Sequence, residues 1–95
     1  MHFRKHLHII TPFKGSVSDL LVTCTSLCQS SYVDYLHHII ITDATCYEAA
    51  DAALSYYDRF PLYYDHFLAE QPGIYYAINQ AILDLPSDSW YCVLG

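Results

Sequence analysis

Basic residues are scarce in this chain. Only Arg4, Lys5, Lys14 and Arg59 occur in 95 residues, against ten Asp and Glu, for a formal net charge of −6. A nucleic-acid surface needs clustered cations to displace phosphate counterions, so this balance argues against one. It equally disfavours a polybasic membrane patch. No apolar run reaches the ~18 residues needed to span a bilayer, and the opening MHFRKHLH has no signal-peptide hydrophobic segment. There are three glycines and no Gly-rich phosphate loop, Lys14-Gly15 being far too little to count as one. No nucleophile elbow and no Ser-His-Asp set can be read from spacing. Repeats of sequence and low-complexity tracts are also absent. Four cysteines without a secretory signal read most simply as reduced thiols, which leads to the expectation of a cytoplasmic protein.

What remains is apolar and aromatic. The chain is 54% hydrophobic and 15% charged, a balance for a packed core rather than disorder. At this length residues 1–95 make one domain, burying roughly two thirds of the unfolded surface. The stretch around which the rest is organised is residues 35–48, YLHHIIITDATCYE. His38-Ile39-Ile40-Ile41 is too short for a helix and suits a strand buried on both faces. Asp43 stands at its carboxyl end, and Thr45 and Glu48 have the spacing of a capping box that opens a helix. In open parallel sheets, ligands bind just beyond such strand ends.

The same unit repeats along the chain. Residues 7–11 (LHIIT) read as a first strand, stopped by Pro12, which has no amide proton to give. Ser16 and Asp19 have capping-box spacing, and Val17, Leu20, Leu21, Cys24, Leu27 and Cys28 form one helical face. A second helix is expected from Cys46 to about Tyr57, with Ala49, Ala50, Ala53, Leu54 and Tyr57 inward, ended by Phe60-Pro61. Residues 62–68 (LYYDHFL) read as a third strand. Ile74, Ala77, Ile78, Ala81, Ile82 and Leu85 mark a third helix, and residues 90–94 (WYCVL) a fourth strand. The order β-α-β-α-β-α-β, with right-handed crossovers, predicts a Rossmann-like, mostly parallel four-stranded α/β sheet with helices on both faces.

Three segments in this order resemble the nucleotide-binding part of a family 2 glycosyltransferase of the GT-A type. Ile9-Ile10-Thr11-Pro12-Phe13 is similar to the opening strand and its Thr-Pro-x-Tyr-Asn turn. His38 through Thr45 resembles the strand that ends in Asp-Asp-Gly-Ser. Gly73-Ile74-Tyr75-Tyr76-Ala77-Ile78-Asn79-Gln80-Ala81-Ile82 is close to Gly-Ile-Tyr-Asp-Ala-Met-Asn-Lys-Gly-Ile and is the most specific of the three. Residues 90–95 resemble the strand leading into the metal-binding Asp-x-Asp.

The resemblance implies that Thr11, Pro12 and Phe13 line a nucleotide pocket. It implies that Asp43 accepts hydrogen bonds from the base, and that Gly73 and Asn79 shape the loop and helix beside a sugar diphosphate. The implied reaction is sugar transfer from a nucleotide-sugar, a UDP-sugar foremost, to an unidentified acceptor, with Mg or Mn neutralising the leaving diphosphate. The departures are Thr42 for the first Asp, Lys14-Gly15 in the first turn, Gln71-Pro72 for Asp-Lys, and Tyr76 for an Asp beside the donor. Neither an Asp-x-Asp nor a catalytic base falls within the 95 residues. The expectation is therefore a front piece of a larger enzyme, inactive alone, or a degenerate remnant that is a non-catalytic nucleotide-binding or interaction module. As a front piece, its strand at 90–94 would leave apolar surface open to self-association.

Other clusters have simpler readings. Cys24 and Cys28 on a helix, with His37 or His38, are zinc-ligand types, but buried free cysteine is ordinary core. His6 and His8 share one face of the first strand, and His37 and His38 point to opposite faces of the second. The tyrosine pairs 56–57, 63–64 and 75–76 include rings able to stack on a base, yet core or rim positions explain them equally.

Overall fold

The computed structural model describes residues 7–55, 62–83, 85–86 and 89–94. Four strands and three helices alternate: β1 (Leu7–Phe13), α1 (Val17–Cys28), β2 (Leu36–Thr42), α2 (Tyr47–Leu54), β3 (Tyr63–Leu68), α3 (Ile74–Leu83) and β4 (Trp90–Val93). The strands form one sheet in the order β3-β2-β1-β4, every pair parallel. This is a Rossmann-like α/β arrangement. The first two crossovers step outward from β1, so α1 and α2 share a face. The third returns across β2 and β1 to reach β4, and a right-handed path places α3 on the other face.

The core divides accordingly. On one face Ile9, Leu36 and Ile40 pack against Leu20 and Cys24 of α1 and Ala50 and Leu54 of α2. On the other, Ile10, Ile39 and Ile41 meet Ala77 and Ala81 of α3, whose small side chains let the helix lie close. Ile10, Ile40 and Ile41 are fully buried, and each such side chain contributes ~1.5–3 kcal/mol of transfer free energy.

Several boundaries differ from expectation for identifiable reasons. β1 does not stop at Thr11; it runs through Pro12, which sits opposite Ile41, to Phe13. Residues 7, 9, 11 and 13 turn their backbone groups to β2, shown by Phe13 O accepting from the Asp43 amide at 3.1 Å. Pro12 therefore faces the β4 side, where pairing has ended at Ile10 and Val93, and its missing N–H costs no ladder bond.

Neither capping box forms. Ser16 is the N-cap of α1 but makes no cap bond, its hydroxyl lying 2.7 Å from that of Ser18. α2 begins at Tyr47 with Cys46 at its N-cap, because Thr45 turns back to Asp43 instead. On α2 the buried residues are Ala50 and Leu54, while Ala49 is exposed. Tyr57, Phe60 and Pro61 lie outside the described residues. Ile74, expected on the inner face of α3, is 53% exposed. No helix of the described chain is long and apolar enough to cross a membrane.

Candidate functional site

A cleft of about 360 Å³ opens beyond the carboxyl ends of β1, β2 and β3. Its volume lies at the lower end of the range for small-ligand sites. Pro12, Ile41 and Ala77 give it an apolar floor. Phe13 and Lys14 form one wall, Pro72 and Gly73 the other, and Asp43 is a polar group on the rim.

Asp43 is held by its own turn. Its Oδ1 accepts from the Thr45 hydroxyl at 2.6 Å and from the Thr45 amide at 2.9 Å. Those two bonds, the hydroxyl foremost, outweigh slight desolvation and hold the carboxyl below the usual carboxylate range, with Lys14 adding a smaller attraction. The side chain is thus a fixed carboxylate at neutral pH, an acceptor suited to N–H donors such as a nucleobase edge.

The opposite wall is pinned by Gln80, a role that its place in the motif does not indicate. Its Oε1 accepts from the Glu70 amide and its Nε2 donates to the Leu68 carbonyl, both at 3.0 Å. One side chain thus satisfies two peptide groups where β3 gives way to the loop. Gly73, at φ +109°, supplies the turn into α3.

The expected site residues separate into two groups. Pro12, Phe13, Asp43 and Gly73 come together around the cleft. Thr11 does not line it: the strand alternation sends its side chain to the α1–α2 face, where its hydroxyl lies 2.7 Å from His38 Nε2. Asn79 does not line it either, being exposed on α3 while Ala77 and Ala81 face the sheet.

The histidines bind strands together. His38 is fully buried, and burial foremost, with nearby His37 second, pulls its pKa down to about 4, so the ring is neutral at pH 7. On the same face Thr42 Oγ1 lies 2.7 Å from His66 Nε2, and His66 Nδ1 lies 3.0 Å from Asp51. The His66 ring stacks on Tyr47 with centroids 4.5 Å apart. Hydroxyl, imidazole and carboxylate have the order of an acyl-transfer triad. Thr42 is completely buried, however, so no substrate carbonyl reaches its oxygen, and the set acts as a clamp between β2, β3 and α2.

Across the sheet, His8 and His37 meet Nδ1 to Nδ1 at 2.8 Å, and His37 Nε2 lies 2.7 Å from Asp65. One of the two facing Nδ1 atoms must donate and the other accept, which ties β1 to β2, while Asp65 ties His37 to β3. The alternation of His37 and His38 was legible in sequence; their partners required the strand register. Among the described residues no group of three His, Cys, Asp or Glu could hold a metal ion. Cys24 is buried, and Cys28 packs beside the α1–α2 core.

No protein-family model, no curated protein and no solved structure matches this chain.

Proposed function

We propose that this chain binds the nucleoside part of a nucleotide-sugar in the cleft between the β1–α1 turn and the β3–α3 loop, as the donor-binding portion of a family 2-like glycosyltransferase. The observation that carries the reading is Asp43, a fixed carboxylate on the rim of an apolar cleft at the carboxyl ends of parallel strands. A planar base would lie on Pro12 and Ile41, its polar edge turned to Asp43. Lys14, exposed at the cleft mouth, supplies positive charge for a diphosphate. UDP is the first nucleotide to test, following the resemblance in the motif segments.

The residues present do not form a divalent-metal site: one Asp43 oxygen is committed to Thr45, and no acidic group converges with it among the described residues. No metal-dependent step is derived for this chain. On the proposed reading, Mg or Mn ligands and the catalytic base belong to motifs that these residues do not include.

Calorimetry with UDP tests the proposal. Binding should be saturable, and Asp43→Ala should weaken it about tenfold, the scale of losing a hydrogen bond to a charged group. UDP affinity unchanged by Asp43→Ala would remove the assignment. The rival, a non-catalytic interaction module on the same fold, predicts no nucleotide-specific heat. Mn, with or without UDP, should leave the melting temperature of residues 1–95 unchanged.

A further inference from the structure

The two edges of the sheet are unlike. β3 carries Asp65, and charge on an edge strand discourages pairing with other chains. β4, with Leu94 after it, carries none: its sequence is Trp-Tyr-Cys-Val-Leu. Trp90 is 71% exposed, Tyr91 49%, Val93 41% and Leu94 39%, so the strand is open on both faces.

The parallel register decides which backbone groups face outward. The Leu94 amide donates to the Ile10 carbonyl at 2.9 Å, so Cys92 and Leu94 turn their amides inward to β1. Tyr91 and Val93 turn theirs, and their carbonyls, away from it. Among the described residues no backbone group meets them.

We propose that this edge pairs antiparallel with the same edge of a second copy, about a two-fold axis through Cys92, giving a continuous sheet through both subunits. The strand is self-complementary in that register. Tyr91 lies opposite Val93 of the second copy, and each such pair exchanges two hydrogen bonds, four in all. A shift of two residues either way halves the bonds within the strand. Trp90 then faces Leu94 of the other copy on one side of the sheet, and Tyr91 faces Val93 on the other, a large side chain beside a smaller one each time.

Charge selects the occupant. Each copy carries a net charge of −6 and repels another over most of its surface, whereas residues 89–94 are uncharged and let two copies approach. The same lack of charge offers nothing for a charged peptide to recognise. The edge shares no residue with the cleft, so the two proposals are tested separately.

Sedimentation from about 5 to about 200 μM should show a concentration-dependent monomer–dimer equilibrium. A short bismaleimide should link two chains through Cys92, whose partner Cα would lie about 4.5 Å away. Cys24 and Cys46 are buried and Cys28 is half-buried, so in a Cys28→Ser background Cys92→Ser should abolish the link. Val93→Lys should give monomers. So should Val93→Pro, which removes only an outward amide, and this variant serves if the lysine disturbs folding. A monomer at every concentration, a dimer that both variants leave intact, or a cross-link that survives Cys92→Ser in that background would each overturn the proposal. A cross-linked peptide joining Cys92 to Cys92, identified by mass in the unaltered chain, decides the matter without any substitution.

Discussion

On the α1–α2 face of the sheet Thr11 meets His38 and Thr42 meets His66. On the α3 face at the same level, Pro12, Ile41 and Ala77 line a cleft without a single hydroxyl. Both faces come from the same two strands, with adjacent residues turned opposite ways. The polar side chains of β1 and β2 near their carboxyl ends are used up inside the fold, each satisfied by a histidine one strand over. Among the described residues no buried side-chain nitrogen or oxygen lacks a hydrogen-bond partner. The polar groups of the cleft on the other face are Asp43, Lys14, Gln71 and the peptide groups of the β3–α3 loop. One face therefore holds specificity for the fold, and the other holds an apolar surface bordered by one fixed carboxylate.

The sharpest way to break that contrast is acid. His38 titrates near 4 when folded and near 6.5 when unfolded. Between those values the unfolded chain binds more protons, so stability falls as pH drops from about 6.5 to about 4. The complete loss amounts to about 3 kcal/mol. Urea midpoints measured from pH 7 to pH 4 should fall accordingly, and His38→Asn should flatten the profile. A flat profile in the unaltered chain would contradict a buried neutral ring.

Next in size is Thr11→Val, which takes the hydroxyl from His38 Nε2 and should cost about 2 kcal/mol. Replacing both partners, as in Thr11→Val with His38→Leu, should recover part of the loss, and chemical denaturation of the single and double variants reads the coupling. A strictly additive result would mean the pair is not a unit.

On the cleft side the effects shrink. Gly73→Ala should cost about 1–2 kcal/mol through backbone strain at positive φ. An added Cβ would lie 3.5 Å from Tyr76 Cδ2, an ordinary contact, so sterics contribute little. A melting temperature equal to that of the unaltered chain would show that the loop relaxes freely. Asp43→Ala should be smallest for folding, moving the melting temperature by less than about 3 °C while affecting ligand binding. A large loss of stability there would make Asp43 a structural residue and undo the division between the two faces.

The centre of the sheet was legible because its cause is local. Ile9-Ile10 and Ile39-Ile40-Ile41 are β-branched runs, and such a run suits a strand covered on both sides. The helical faces of α1 and α3 were legible for a similar reason, period 3.6 being a property of consecutive residues. Local competition was harder to judge. Thr45 had the right spacing from Glu48, but its hydroxyl lies as close to Asp43, and the tighter Asx turn won. Asn79 lies outside the cleft lining, because motif spacing names a helix and not the side of it that faces the cleft, whereas Gln80, one residue on, ties down the wall.

The amino-acid order by itself determined the alternation of strands and helices, the two-faced burial of β1 and β2, and the carboxylate at the end of β2. Each depends on residues within about one turn or one strand of each other. Only the tertiary structure decided that Pro12 continues a strand, that Thr11 turns from the cleft to His38, and that Thr42, His66 and Asp51 form a clamp. The partners in those arrangements are 15 to 29 residues apart. Their pairing depends on register, and a register belongs to two strands at once: a slip of one residue would send every one of these side chains to the opposite face.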